Sequence, residues 1–535
     1  GCFEQLIKDY LLDNPFEAII VVKPEKNLTA KEDARVAEKL AAYKERLTAE
    51  EKQALIRQTK ELKEYQDIPS SPEELALIPM LERKDIKKEA EKLKWEEHKI
   101  HGIQVLHHDI FTSGIGYLRV LFHTNRIPDE DLPYAALLRH VLSLVDTEHY
   151  SYSDLTSEIN LNTGGLSLGI TSYVNLKKLP DFTGAFSAEV RVLYEKLDFG
   201  FEIVSEILTR SKFSDEKRLG EILKTTRSRM KMKLENGSHS AAVARATSYF
   251  SPTSAYNDCT GGIRYYQFLD DVIREFEKDP KPLIAKLEEV SKKLFTKENM
   301  LISYTCDKAG FPALSESMKH LTDALPEGKG TVYPFQFQPE LKNEGFKTSS
   351  QVNYVARCGN FRLGEELDYT GALRILKLIL SYDYLWQNLR VKGGAYGCMS
   401  GFKYSGESFF VSYRDPHLKR TYDVFAGIPD YVRGFKADER EMTKYIIGTI
   451  SGKDVPKTPQ MKGNASKGAY FCGVTEEMMQ KERDEILNAQ AEDIQALAPL
   501  IEAILSDEEI CVVGSEPKVQ KEEALFGSIS PLING

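Results

Sequence analysis

One short stretch concentrates the residue types that could do chemistry: Arg390, Val391, Lys392, Gly393, Gly394, Ala395, Tyr396 and Gly397. A phenol can donate a hydrogen bond to an oxygen that gains negative charge in a tetrahedral intermediate. A guanidinium offers a planar fork for a peptide carbonyl or a carboxylate. The glycines permit positive φ and let a second backbone come close. An apolar helical run, Leu373 to Leu389, precedes the stretch, and two strand-like segments, Cys398 to Tyr404 and Ser408 to Tyr413, follow it. A tight helix-to-strand turn would therefore carry Arg390 and Tyr396 as two polar tips. The spacing alone leaves a second reading open, a helix that ends on a Gly-rich left-handed stop and runs into an ordinary strand.

A zinc peptidase built on a helix needs two histidines that share one helical face, with a glutamate as base in an H-x-x-E-H type motif. None of the ten histidines supplies it. His140 lies on a helical run without the Glu and the second His, and Glu148-His149 falls too far on. His98 and His101 have the wrong helical spacing, and the neighbours His107 and His108 point to opposite faces of a strand. No metal site is expected from this chain alone. Gly448 to Asp454 approaches a phosphate loop but is one residue short, with Asp where Ser or Thr would bind magnesium. A hydrolase serine is not expected either. Gly393 to Gly397 is no dinucleotide fingerprint, because it leads from helix into strand.

Over 535 residues the chain is 41% hydrophobic and 28% charged, the balance of a globular protein with a sizeable core. A net charge of −10 argues against a general nucleic-acid binder, which needs basic surface. No apolar run approaches the roughly 18 residues of a membrane span. Seven scattered cysteines without a C-x-x-C pair read as reduced thiols. The start at Gly1, without Met or a signal pattern, reads as that of a fragment.

The elements that would position the turn fall into four segments. In residues 1–27, Ala18 to Pro24 is a short β-branched strand. Residues 28–94 are charge-rich, with capping boxes at Thr29 and Thr48, an apolar stripe Val36, Leu40, Tyr43 and Leu47, and a further short helix from Ser71, together a helical hairpin and linker. Residues 95–330 and 331–535 repeat one element order. In the first, strands at 102–108 and 114–124 lead to a helix at 132–145, Gly164-Gly165, and a strand at 166–174. Helices follow at 198–211 and 214–234, the latter capped by Ser214, then a loop-rich 247–260, helices near 262–277 and 281–293, and a strand at 300–305. After a linker at 325–348, the second has a strand at 351–358, a helix at 366–390, Gly393-Gly394, two strands, helices at 419–433 and 437–451, and a last strand at 510–513. The expectation is two copies of one α+β domain.

The words Val352-Asn353-Tyr354-Val355, Arg390 to Gly397, and Ser412-Tyr413-Arg414-Asp415-Pro416 occur in the same order as in the C-terminal half of presequence-protease-type peptidases. The chain resembles that half of these zinc metallopeptidases of the insulinase/pitrilysin family over nearly its whole length. The resemblance implies an α+β fold of two homologous domains, mostly antiparallel sheet packed with helices, preceded by a helical hairpin linker. It makes 1–27 the terminal piece, with the last strand, of an absent N-terminal half that binds the zinc. It assigns Arg390 and Tyr396 to the active site and Gly393, Gly394 and Gly397 to the substrate-binding turn, and it implies unfolded peptides as substrates. A non-catalytic interaction or assembly subunit of the same fold is the alternative. A bacterial cytoplasmic setting is expected, with an organellar matrix as the other possibility.

Overall fold

The computed structural model describes residues 1–533 except Pro24, Pro69, Met80, Lys329 and 364–366. The chain divides into two compact units, Gly1–Met80 and Leu81–Gly535.

In the first unit, a helix at Cys2–Ile7 runs on as a π-helical turn at Lys8–Leu12. The strand expected from Ala18 does not form. Residues 18–23 have no regular structure, Ile19, Ile20 and Val22 are exposed, and Pro24 lies outside the described residues. A β-branched run becomes a strand only when its backbone groups find a ladder, and among the described residues none pairs with it. Helices follow at Leu28–Arg46 and Ala49–Asp67. The first starts after Asn27, so Thr29 lies inside it rather than at its cap. The second has the expected box: Thr48 Oγ1 accepts from the Glu51 amide while Glu51 accepts from the Thr48 amide. Ser71 and Glu74 do the same for Pro72–Ala76.

The second unit is built on two six-stranded mixed sheets. The first contains β1 (Glu96–Ile100), β2 (Ile103–Asp109), β3 (Ile115–His123), β4 (Leu166–Val174), β5 (Phe182–Leu193) and β6 (Met300–Cys306), in the order β1-β2-β6-β3-β5-β4. The second contains β7 (Glu344–Thr348), β8 (Tyr354–Asn360), β9 (Gly397–Phe402), β10 (Glu407–Tyr413), β11 (Glu509–Ser515) and β12 (Ser528–Pro531), in the order β12-β7-β11-β8-β10-β9. β2 is parallel to β6, and β7 is parallel to both β11 and β12; every other pairing is antiparallel. The path β2-β6-β3-β5-β4 is thus repeated, directions included, by β7-β11-β8-β10-β9. Gly165 and Gly394, both at positive φ, come shortly before the last strand of each path. β6 and β11 are buried along their whole length, as strands covered on both faces must be.

Several elements depart from the sequence expectation. β5, the longest strand, escapes it because Gly184, Ala185, Ser187 and Ala188 blunt the apolar alternation. Tertiary packing explains the glycine, since a Cβ on Gly184 would lie 2.4 Å from Thr124 Oγ1. The loop-rich 247–260 is largely helical: Ser238–Thr247 ends there, and Pro252–Gly261 starts with Ser251 as cap and Pro252 in its first turn. The helix Glu216–Asn236 is capped by Asp215, not Ser214. The end of the expected linker, 344–348, is β7. The start of the expected helix at 366 falls outside the described residues, and regular helix begins at Ala372.

The helix Ser238–Thr247 packs on β8, β10 and β11 of the second sheet. Its buried Arg245 binds Glu344 on β7 through Nε (2.5 Å) and Nη2 (2.9 Å), and Asp258 through Nη1 (2.5 Å). Burial works against that charge, but the two carboxylates outweigh it and hold the guanidinium protonated.

Candidate functional site

The turn is built by a change in helix type. The helix Ala372–Tyr382 buries Leu373, Leu376, Ile379 and Leu380 in the core beneath the second sheet. It breaks at Asp383 and resumes as a π-helical turn, Trp386–Val391, closed by the Lys392 amide donating to Gln387 O at 2.9 Å. Such wide turns recur at functional sites. The amides of Gly394 and Ala395 then bond back to Arg390 O and Leu389 O, both at 2.9 Å, and the Tyr396 amide hooks onto Tyr413 O of β10 at 3.0 Å. A Cβ on Gly393 would lie 2.4 Å from Leu389 O, and Gly394 has φ +78°. These two positions need glycine. Gly397 does not: it begins β9, and a Cβ there would meet Tyr413 Cβ at an ordinary 3.8 Å.

Arg390 and Tyr396 are brought together. The guanidinium lies 4.4 Å from the Trp386 ring centre and 5.1 Å from that of Tyr396, and it donates to the Tyr396 carbonyl. Tyr396 is 62% exposed, with its ring 5.9 Å from that of Tyr413. The arrangement presents a phenol and a guanidinium edge to solvent on a backbone fixed at both ends. Burial pushes the neighbouring Cys398 thiol up to about 11, against the influence of Arg390. It stays a thiol and offers no nucleophile.

The Tyr413-Arg414-Asp415-Pro416 word anchors the turn from behind. Its simplest reading in sequence is an ion pair between Arg414 and Asp415, and the structure differs. Arg414, at φ +49°, lies over the Tyr413 ring at 5.7 Å. Asp415 is buried and accepts from the Thr421 hydroxyl (2.6 Å) and the His417 amide (2.8 Å). Its backbone exchanges two 2.8 Å bonds with buried Asn353, whose side-chain oxygen accepts from the Ser515 amide on β11. Asn353 and Asp415 thus tie the end of β10 to the sheet, a structural role that sequence motif-reading missed.

The other histidine and serine candidates resolve without catalysis. Arg139 donates to His140 Nε2 at 3.0 Å, and burial, with Arg139, Arg229 and Lys233 nearby, pushes the imidazole down to about 4. So cationic a setting does not fit a catalytic zinc. His108 Nδ1 donates to Lys94 O at 2.7 Å and its Nε2 accepts from Ser303 Oγ at 3.0 Å, so neither nitrogen is free. Gly165-Leu166-Ser167-Leu168-Gly169 does match G-x-S-x-G in letters, but Ser167 sits within β4, opposite Glu189, and not on a strand-to-helix elbow. A cavity of about 1000 Å³ is lined by Lys224, Arg227, Asp270, Lys347 and Glu516 among others, and includes neither Arg390 nor Tyr396.

Residues 22–272 match the family model of the domain associated with subfamily C of the M16 peptidases, and residues 343–516 match the PreP C-terminal domain. The second match contains the whole turn. The chain belongs to the M16 peptidase family, in its presequence-protease branch. It is 38% identical to Protein HypA of Clostridium perfringens over 99% of its own length and 54% of that protein's. It is 31% identical to Presequence protease 1, chloroplastic/mitochondrial, of Arabidopsis thaliana over 94% of its length and 46% of that protein's. The chain therefore spans about half the length of these curated relatives. In fold it is similar to a peptidase M16 inactive domain from Pseudomonas fluorescens, with TM-score 0.54 at 15% identity over 82% of this chain and 98% of that one. No helix among the described residues is long and apolar enough to cross a membrane.

Proposed function

We propose that this chain is the C-terminal, non-zinc half of a peptide-degrading zinc metalloendopeptidase. Its role is to close the substrate chamber over the N-terminal half, which holds the zinc, and to supply Arg390 and Tyr396. The substrates are unfolded peptides. One observation carries the reading: Tyr396 projects largely exposed from a turn whose backbone is fixed by the π-helical turn on one side and β10 on the other. A core tyrosine would be buried, and a loose surface tyrosine would not need two obligatory glycines before it. The phenol hydroxyl donates to the oxygen that gains charge as the peptide carbonyl is attacked. Arg390, with guanidinium N–H groups beyond the one on the Tyr396 carbonyl, fixes the turn and faces substrate backbone. The domains are 95–330 and 331–535, with 28–94 as hairpin and linker and 1–27 completing a sheet of the other half. The compartment is the bacterial cytoplasm.

The engagement of Arg390 with the Tyr396 carbonyl favours a second reading, in which the turn is a packing device of a non-catalytic subunit. Mixing this chain with a separately expressed zinc half separates the two. Peptide cleavage should appear only in the mixture. Tyr396→Phe should then lower kcat on the order of a hundredfold with little change in KM, because only the hydroxyl is removed. Equal restoration by the parent and Tyr396→Phe chains would establish the packing reading.

A further inference from the structure

The hairpin β1–β2 brings together three side chains that look unrelated in sequence. Its two-residue turn is His101-Gly102, with φ of +49° and +82°. Two successive positive φ values are the mark of the tight hairpin turn whose twist suits the flanking strands. That turn sets Ile100 opposite Ile103, and the register then follows by counting: His98 opposite Val105 and Glu96 opposite His107. Residues directly opposite, and residues two apart on one strand, share a face of the sheet. Glu96, His98 and His107 therefore converge, and one ligand atom from each lies within 4.8 Å of the others.

The details suit a metal ion better than a chance cluster. His107 is buried, and its Nε2 donates to the Cys306 carbonyl at 3.1 Å, which leaves Nδ1 with a lone pair aimed at the cluster, 3.9 Å from Glu96 Oε2. A backbone carbonyl that fixes tautomer and ring is the usual support behind a metal-binding imidazole. His98 Nε2 is buried without a hydrogen-bond partner and lies 3.5 Å from the same carboxylate oxygen. Phe311 stacks on the His107 ring at 4.1 Å and packs at 4.8 Å from that of His98, a wall that limits how either ring can turn. Glu96 is 63% exposed, so an ion can enter from solvent and the carboxylate can swing to meet it. Tetrahedral bonds of about 2.0–2.1 Å place donor atoms about 3.4 Å apart, so the Glu96 distances require only a small adjustment. Two imidazoles and one carboxylate select a zinc-class ion over magnesium or calcium, which take all-oxygen sets.

We propose that Glu96, His98 and His107 form a site for one zinc-class divalent ion, with its fourth position open to solvent, clamping the edge strand β1 to β2. It goes beyond the sequence expectation that the chain holds no metal, and it leaves the catalytic zinc of the proposed enzyme with the N-terminal half. It is independent of the peptidase reading, because it involves neither Arg390 nor Tyr396.

The test is titration of the chelator-stripped 535-residue chain with Zn²⁺, and with Co²⁺ followed by visible absorption. One saturable equivalent is expected, with slower amide exchange across 96–107 when zinc is present. Glu96→Gln and His98→Gln should each weaken binding by at least about tenfold. Glu96 is exposed, so its variant leaves the fold intact even if a change at buried His107 does not. Absence of a saturable equivalent in the parent chain, or unchanged affinity in both variants, would overturn the proposal.

Discussion

Glu509 begins β11 as a carboxyl group buried at 7% exposure, and its Oε2 has no hydrogen-bond partner. Burial, with Asp507 adding like charge, pushes it up to about 7. In the unfolded chain the group ionises near its ordinary value, so between that value and about 7 the folded state binds more protons than the unfolded one. Stability contributed at this site is therefore fully present at low pH and lost as pH rises through that window. Glu509→Gln should raise Tm at pH 8 and change it little at pH 5. An equal shift at both pH values, read by thermal unfolding, would mean that the carboxyl is not protonated in the folded protein. Tyr396 shows the other limit of a single residue. Its type and its glycine-rich neighbours mark it in sequence, but its exposure depends on how the turn is hung between two elements.

The turn itself separates what local sequence carries from what it does not. Gly393 and Gly394 stand out as letters, and the structure gives each a reason, a carbonyl 2.4 Å from any Cβ and a φ of +78°. Gly393→Ala should cost on the order of 2 kcal/mol in denaturant unfolding, whereas Gly397→Ala should stay within about 0.5 kcal/mol. Comparable losses at both would show that the turn is limited by something other than the Leu389 carbonyl. The π-helical turn before it was not legible, because a wide turn and an ordinary one use the same apolar spacing over six residues. β4 was legible to the residue, since strand alternation after Gly164-Gly165 is a local pattern. β5 was not, since its Gly184 makes sense only against Thr124 and Tyr256, and neither is near it in sequence. The Glu96, His98 and His107 trio failed for the same reason. Testing histidines for helical spacing cannot find ligands that a hairpin register brings together, although His101-Gly102 was the signal that fixes the register.

At the scale of the molecule, helices of the first repeat and β7 of the second share one network around Arg245. Removing that cation leaves Glu344 and Asp258 facing each other without it in a buried site. Arg245→Met should destabilise by about 3–5 kcal/mol, and adding Glu344→Gln should recover part of the loss. A cost under about 1 kcal/mol, from urea melts of both variants, would mean that water already satisfies these groups. The expectation of two copies came from element order, although β5 and β7, one strand in each repeated path, escaped it. The embrace of the second sheet by a helix from the first repeat was not readable, because no sequence pattern says which sheet a helix will cover.

That helix has a consequence for how such a chain can change over generations. Val243 O receives the Cys358 thiol at 3.7 Å, and Ser251 donates to Glu407 at 2.5 Å, each bond joining one repeat to the other. Close-packed interiors register a change of even one methylene. A substitution on the helix Ser238–Thr247 is therefore answered on β8, β10 or β11, more than a hundred residues along the chain. Although they repeat one strand path, the two repeats cannot drift as independent modules or be exchanged singly between relatives. They are inherited as one surface and its mould.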